Sequence, residues 1–358
     1  MSAEAKVGHP GATLERPAAG CDRVVLLPEP IEEEALRLLE ERGTVLLKAP
    51  SAEREDVQLL IAQANAVVLR TGIKLDAALL ACATRLLTVS RTGAGYDNVD
   101  VAAATRDGII VTSSVGANTV TVAEHAVALV LSLEKHLFEL DRGVRRNDFR
   151  IRYAYLPRDL RGQVLGVVGF GHIGAQVAEM CHRAFGMRIV AHDAYLPEEI
   201  RAKYASWVTF VELEELCRCA DVITLHLPLT SSTRHLIGRR LLSVMKSDAI
   251  LLNTSRGGII EEAALVDALR ARAIRGAAVD VFEHEPPSGS PLLELDNVVL
   301  TPHAAALTKA CVVRMAVLAA QRVVDVFDGY VPDNVANPEV LRMERWKHLV
   351  KRPSSDSP

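Results

Sequence analysis

The chain has 358 residues, 49% of them hydrophobic, and this is more apolar material than one core normally uses, since single cores stop growing at about 250–300 residues. Its 41 basic and 45 acidic residues leave a formal net charge of −4 and are spread along the chain, so the electrostatic footprint of a nucleic-acid or anionic-membrane binder is missing. The chain has no run of about 18 apolar residues, and the Ala-, Gly-, Pro- and Glu-rich stretch 1–20 lacks the apolar centre of a signal peptide, so a soluble, cytoplasmic protein is expected.

From Arg23 onward, short Val-, Leu- and Ile-rich runs alternate with longer amphipathic segments. Strands are expected at Arg23–Pro28, Thr44–Lys48, Ala66–Arg70, Leu86–Ser90 and Ile109–Ser113, with helices at Ile31–Arg42, Glu53–Ala64 and Leu75–Ala83 between them. Near-continuous apolar strands alternating with helices indicate a parallel sheet covered on both faces. One long helical pattern, Thr121 to about Arg145, connects this series to a second. There the strands are expected at Val164–Val168, Arg188–His192, Val222–His226, Ala249–Asn253, Ala277–Val281 and Val298–Thr301. The last helical pattern, Ala310–Phe327, has no sheet of its own and should pack back on the first series. The fold class is therefore α/β, with two doubly wound parallel-sheet domains, 22–119 plus 307–341 and 120–306. Residues 1–21 and 342–358 lack periodicity and are expected to be flexible tails.

Six cysteines, Cys21, Cys82, Cys181, Cys217, Cys219 and Cys311, are expected to be free thiols, because a chain this long needs no disulfide staples. Cys217-x-Cys219 and the neighbours Cys181–His182 lack a second pair at zinc-site spacing, so no metal is expected.

The segment Val164-Leu-Gly-Val-Val-Gly169-Phe-Gly171-His-Ile-Gly174 sets G-x-G-x-x-G directly after an apolar strand and before an amphipathic helix, Ala175–Phe185. In that context Gly169 permits a tight turn, Gly171 lets a pyrophosphate approach the backbone, Gly174 allows close helix–sheet packing, and the helix N-terminus offers free N–H groups to phosphate. The next strand ends in Asp193, nineteen residues beyond Gly174, where a carboxylate can accept the adenosine-ribose hydroxyls. Asp193 would repel a 2′-phosphate, and Ala194 and Tyr195 supply no Arg to receive one, so NAD is favoured over NADP. The competing use of Asp193 is as a helix N-cap ahead of Pro197-Glu198-Glu199.

Three later segments put charged residues at the ends of apolar strands, where open α/β sheets bind ligands: Leu251 to Arg256, Ala277 to Glu285, and Val298 to His303. Hydride transfer between a hydroxy acid and nicotinamide needs a cation for the carboxylate, a proton acceptor for the hydroxyl, and a group that tunes the acceptor. Arg256, His303 and Glu285 supply this set.

Together with Arg91-Thr-Gly-Ala-Gly-Tyr-Asp-Asn-Val-Asp100, Val122-Ala-Glu-His-Ala126, His226-Leu-Pro-Leu-Thr230, Asn253-Thr-Ser-Arg-Gly-Gly258, Asp280-Val-Phe-Glu-His-Glu-Pro286 and Thr301-Pro-His303, these motifs resemble the D-isomer-specific 2-hydroxyacid dehydrogenase family, over roughly Arg23 to Leu341. The resemblance implies a flavodoxin-like substrate domain, a Rossmann NAD-binding domain, and an NAD-dependent oxidoreductase of small D-2-hydroxy acids of the 3-phosphoglycerate, glycerate/hydroxypyruvate or glyoxylate type. It implies that Arg256 holds the substrate carboxylate and polarises the 2-oxo group, that His303 is the acid/base, and that Glu285 pairs with His303. Glu283 competes for the acidic role, and Glu285 is preferred because it holds the family's Glu-Pro position. Cofactor contacts are implied for Gly169, Gly171, His172, Ile173, Gly174, Asp193, His226, Pro228 and Thr254, with the nicotinamide carboxamide falling on Asp280. Further substrate contacts are expected from the first domain, at Arg70, Thr71, Ala94 and Gly95, beside Arg256 and His303. A homodimer is expected through the helix that begins at Thr121, because members of the family pair there.

The chain departs from the family pattern at Ala304-Ala305-Ala306, where glycines are common, in the stretch 149–161, which lacks the usual Trp, and at Glu261, which replaces a common Asp. No regulatory domain is expected beyond Leu341. An NAD-binding transcriptional corepressor of the C-terminal-binding-protein type shares the fold and an Arg-Glu-His set, and is the alternative reading; the ending Val335-Ala-Asn-Pro-Glu-Val-Leu341 favours metabolism. Formate dehydrogenase is disfavoured because that relative has Gln in place of Glu285, and phosphite dehydrogenase because Ala94 stands where its substrate-binding Lys would be.

Overall fold

A computed structural model describes residues 23–352, which divide into two compact units. The residues up to Ala117, together with those from Lys309 onward, form the first. Its strands are β1 Val24–Leu27, β2 Val45–Lys48, β3 Ala66–Leu69, β4 Thr88–Arg91 and β5 Ile110–Ser113, all parallel in the order β2-β1-β3-β4-β5. This is the flavodoxin-like arrangement. Alternation along β1 sends Val24 and Leu26 to one face and Val25 and Leu27 to the other. Leu79, Leu80 and Val57 cover the first face, while the helix Lys309–Phe327 covers the second with Ala316, Ala319, Ala320, Val323 and Val324. Small side chains on that helix let it approach the sheet closely.

The segment after Arg342, expected to fray, is anchored as far as it is described. Trp346 is buried against Ile110 and Val340, its Nε1 donates to the Gly108 carbonyl at 2.9 Å, and Val350–Lys351 pairs with Tyr330–Val331. One tryptophan does this without any periodic pattern. The stretch 1–21, with Cys21, lies outside the described residues.

The second unit is Asn118–Thr308. Its strands are β6 Val164–Val168, β7 Arg188–His192, β8 Val208–Phe210, β9 Val222–Leu225, β10 Ile250–Asn253, β11 Gly276–Val279 and β12 Val298–Leu300, all parallel in the order β12-β11-β10-β9-β6-β7-β8. The order reverses between β6 and β9, which creates the crevice where doubly wound sheets bind ligands. Val164 and Val168 of β6 face one core, and Leu165 and Val167 face the other. Leu165 is fully buried, a placement worth about 1.5–3 kcal/mol for a leucine side chain.

Two expectations are corrected in this unit. The strand β8 was not anticipated, because three residues at a sheet edge give too short a pattern. The long helix from Thr121 breaks at Lys135–His136 into Thr119–Glu134 and Leu137–Arg145, with His136 in the left-handed region at φ 50. The first piece lies largely inside the unit, with Ala123, Ala126, Leu129 and Val130 in its core, so its apolar surface is spent within the subunit.

Among the described residues, Cys82, Cys181, Cys217, Cys219 and Cys311 are free thiols, and no group of three His, Cys, Asp or Glu side chains could hold a metal ion. Burial pushes the Cys181 and Cys217 thiols up to about 12. No described helix is long and apolar enough to cross a membrane.

Candidate active site

The glycine loop leaves β6 and enters the helix His172–Phe185. Gly169 sits at φ +91, and a Cβ there would lie 2.6 Å from the His226 carbonyl oxygen. At Gly174 a Cβ would come within 2.0 Å of the Gly169 carbonyl oxygen, so the first helical turn closes on the loop only without a side chain. Nothing lies within 4 Å of a Cβ built on Gly171, which caps the helix and borders open space. The first intrahelical bond runs from Ala175 N to Gly171 O, so the amides of His172, Ile173 and Gly174 have no acceptor one turn back. With the helix dipole they form a ready anion site.

Asp193 follows β7. Its Oδ2 accepts from Phe170 N at 2.8 Å and its Oδ1 from Tyr195 N at 2.9 Å, fixing the carboxylate to the glycine loop. The helix Glu198–Tyr204 is capped by Pro197, with no side-chain cap bond, so the capping alternative is set aside. A cleft of about 510 Å³ opens here, lined by Asp193, Ala194, Arg201, Phe210, Glu212 and Glu215 among others. Arg201 was missed in the sequence. It lies eight residues past Asp193, and the helix returns it so that Nη2 donates to the Asp193 carbonyl at 2.6 Å.

At the next strand ends, His226 Nε2 meets Thr224 Oγ1 at 2.9 Å, and burial pushes the imidazole down to about 3. Pro228 is exposed, and its carbonyl accepts from Thr233 Oγ1 at 2.6 Å. Thr254 is buried, and its hydroxyl has no hydrogen-bond partner among the described residues. The Asn253 side chain folds the turn after β10: its Oδ1 accepts from Ser255 N at 3.0 Å and from Ser255 Oγ at 2.8 Å, and its Nδ2 donates to Arg256 O at 2.8 Å. Arg256, with Nη1 on the Ser255 carbonyl at 2.6 Å, is presented by that turn. A Cβ on Gly257 would lie 1.9 Å from the Phe282 carbonyl carbon, so the Arg256 turn and the 282–285 loop pass in direct contact.

Glu285 Oε2 lies 2.8 Å from His303 Nδ1, and Glu285 Oε1 accepts from Phe282 N at 3.1 Å. Partial burial raises the Glu285 carboxyl, but the bond and charge of His303, the Phe282 amide and the charge of Arg256 outweigh it and hold the group below its ordinary value. Glu283 instead hydrogen-bonds His235, outside this cluster.

His303 takes φ 51, an uncommon conformation for a residue with a side chain. Its N–H donates to Asp280 O at 2.7 Å, and the Asp280 carboxylate accepts from Thr301 Oγ1, Ala304 N and Ala305 N at 2.6, 2.8 and 3.0 Å. Asp280 is fully buried, with His125 Nε2 a further 3.7 Å from its Oδ1, so its carboxylate shapes the His303 loop from within, and the carboxamide contact the sequence implied for it has no surface to meet. His125, from the helix Thr119–Glu134, adds a contact of 3.3 Å to Thr301 Oγ1. Neither Thr301 nor His125 was assigned a role from the sequence, although both fall in quoted motifs.

In the first unit the expected substrate contacts are differently engaged. Arg70 Nη1 is 3.1 Å from both Glu32 Oε1 and the Pro30 carbonyl, so the guanidinium braces the end of β3, and a substrate role would have to break that pair. Thr71 is exposed. Ala94 and Gly95 lie in the turn after β4, where the Gly95 carbonyl accepts from Arg91 Nε at 3.0 Å. The buried Arg91, quoted from the sequence only as the head of a motif, holds this turn through the Gly95 carbonyl and also reaches the Leu69 carbonyl.

Known proteins resemble this chain in sequence and in fold. Residues 127–305 match the model for the NAD binding domain of D-isomer specific 2-hydroxyacid dehydrogenases. The D-3-phosphoglycerate dehydrogenase of Methanocaldococcus jannaschii is 39% identical over 325 residues, covering 91% of this chain and 61% of that protein. Glyoxylate reductase of Thermococcus litoralis is 36% identical over 329 residues, 88% of this chain and 97% of its own. The crystal structure of D-lactate dehydrogenase from Aquifex aeolicus, complexed with NAD and lactic acid, has a TM-score of 0.77 at 29% identity, covering 86% of this chain and 96% of that one. The chain spans about 60% of the length of the phosphoglycerate dehydrogenases it matches.

Proposed function

The chain belongs to the D-isomer specific 2-hydroxyacid dehydrogenase family, and on that premise we propose that it interconverts a small D-2-hydroxy acid and its 2-oxo acid with NAD. The observation that carries this reading is the 2.8 Å contact of Glu285 with His303 on a loop packed against the Arg256 turn, at the carboxyl ends of β10, β11 and β12. Cofactor binding falls to the unit Asn118–Thr308. The open space at Gly171, the unpartnered hydroxyl of Thr254 and the fixed carboxylate of Asp193 fit a dinucleotide. When bound, the nicotinamide would supply or accept the hydride.

Arg256 binds the substrate carboxylate and draws electron density from the 2-oxo group. Protonated at Nε2, His303 gives its proton to the oxygen that becomes the hydroxyl, and takes it back in the oxidative direction. Glu285 accepts a hydrogen bond from Nδ1–H, fixes the ring's tautomer and complements the imidazolium charge. The substrates proposed are 3-phosphohydroxypyruvate, hydroxypyruvate and glyoxylate with their reduced partners. A panel of these, with pyruvate and phenylpyruvate, scored by NADH consumption and by the chirality of the product, tests the reading; a protein that binds NADH and consumes none of it with any 2-oxo acid would refute it.

We also propose a homodimer, now through residues 137–156 rather than the preceding helix. Leu137, Phe138, Val144, Phe149, Tyr153 and Leu156 are each exposed there, six large apolar side chains within one short stretch that an interface would cover.

A further inference from the structure

We propose that Arg201 is a built-in receiver for a 2′-phosphate, masked by Asp193, so that these two residues together set the choice between NADH and NADPH; this rests on the cofactor reading above. Arg201 lies in the same cleft as the Asp193 carboxylate. Its Nη2 is fixed on the Asp193 carbonyl at 2.6 Å and its Nε on the Leu196 carbonyl at 3.2 Å, and its guanidinium carbon lies 5.5 Å from the centre of the Phe210 ring. Those contacts leave Nη1 without a protein acceptor among the described residues. A guanidinium held this way loses little freedom on binding, and its remaining donors match the geometry of a phosphate.

The cleft sets three carboxylates, Asp193, Glu212 and Glu215, against this one cation. Glu212 and Glu215 are exposed, so water and salt screen them. Asp193 is only partly exposed and is immobilised by two backbone amides, so it dominates the local field. A 2′-phosphate carries about −1.5 to −2 charge near pH 7 and would meet Asp193 first. With the Asp193 charge removed, Arg201 is the charge in the cleft that two backbone carbonyls hold in place. The sequence placed NAD preference on the Asp193 charge and on the lack of an arginine at Ala194 and Tyr195, whereas the fold brings an arginine back from the following helix.

Calorimetric binding of NADH, NADPH and 2′,5′-ADP to the wild type, Asp193→Asn, Arg201→Gln and the double variant tests this without any turnover. Wild type should prefer NADH by at least about tenfold. Asp193→Asn keeps an acceptor for one of the two amides and should gain about tenfold or more for NADPH and for 2′,5′-ADP; the double variant should lose that gain. Arg201→Gln alone should change NADH affinity by less than about threefold. Asp193→Ser, which retains one oxygen for the Phe170 amide, must give the same pattern as Asp193→Asn. A gain that survives in the double variant overturns the proposal, as does an equal loss of NADH and NADPH on Arg201→Gln, since that marks Arg201 as a structural brace. A wild type that binds neither dinucleotide overturns the cofactor reading and this proposal with it.

Discussion

Glu285 holds His303 at one oxygen and the Phe282 amide at the other, so a single carboxylate ties the imidazole proposed to handle the proton to the 282–285 loop. Glu285→Gln keeps the shape and removes the charge that complements an imidazolium. Turnover of the preferred 2-oxo acid should fall by about 10²-fold while NADH affinity holds. The carboxyl titrates below its ordinary value, so the charge is complete above the unfolded value of 4.5 and is lost only as pH falls through the lower folded value. Steady-state kinetics of the variant decide the point, and an unchanged kcat would show that the pair only shapes the loop.

Gly257 is where the Arg256 turn presses on the 282–285 loop, and any Cβ would overlap the Phe282 backbone. Backbone, unlike a side-chain tip, cannot swing away. Gly257→Ala should therefore cost about 2–4 kcal/mol in stability and displace Arg256 as well. Urea unfolding measures the first effect and KM for the 2-oxo acid the second; an alanine variant of wild-type stability would mean that the two loops are not in contact.

His226 carries a pH signature. Its ring is held down to about 3 by desolvation against an ordinary value of 6.5, so the unfolded chain takes up a proton in that window and the folded chain does not. Stability from this group is complete above pH 6.5 and declines as pH falls toward 3, by at most about 1.4 kcal/mol per pH unit. His226→Gln should flatten the slope of unfolding free energy against pH between about 4.5 and 6.5. If wild type and variant share one slope, the ring is solvated.

The apolar surface on 137–156 predicts a mass in light scattering of twice the 38.8 kDa chain. Phe149 is 66% exposed and Leu156 71%, and Phe149→Glu with Leu156→Glu should return a monomer by placing charge where an interface excludes water. Wild type at 38.8 kDa in micromolar solution would contradict the dimer.

Much of both sheets was legible in the sequence because buried parallel strands read as unbroken apolar runs, as β1, β3 and β6 do, whereas β4, Thr88–Arg91, is buried at every position although three of its four residues are polar. The strand β8 was not legible, being three residues long with an exposed centre. The tight turn at Gly169 and Gly174 was legible because its geometry is local to one strand-to-helix junction. The roles of Arg201, Arg91, Thr301 and His125 were not, since each depends on a contact across elements that spacing does not record. Tertiary packing also decided the break at His136 and the docking of Trp346.

The central claim is that His303, backed by Glu285 and beside the Arg256 turn, moves the proton while the cofactor binds elsewhere. His303→Ala tests it most directly, with NADH affinity from fluorescence titration set beside kcat for the best 2-oxo acid of the panel. The expected result is NADH affinity within about threefold of wild type and turnover lower by about 10²–10⁴, the usual share of a positioned acid/base. Unchanged turnover, or a loss of NADH affinity as large as the loss of rate, would contradict the assignment.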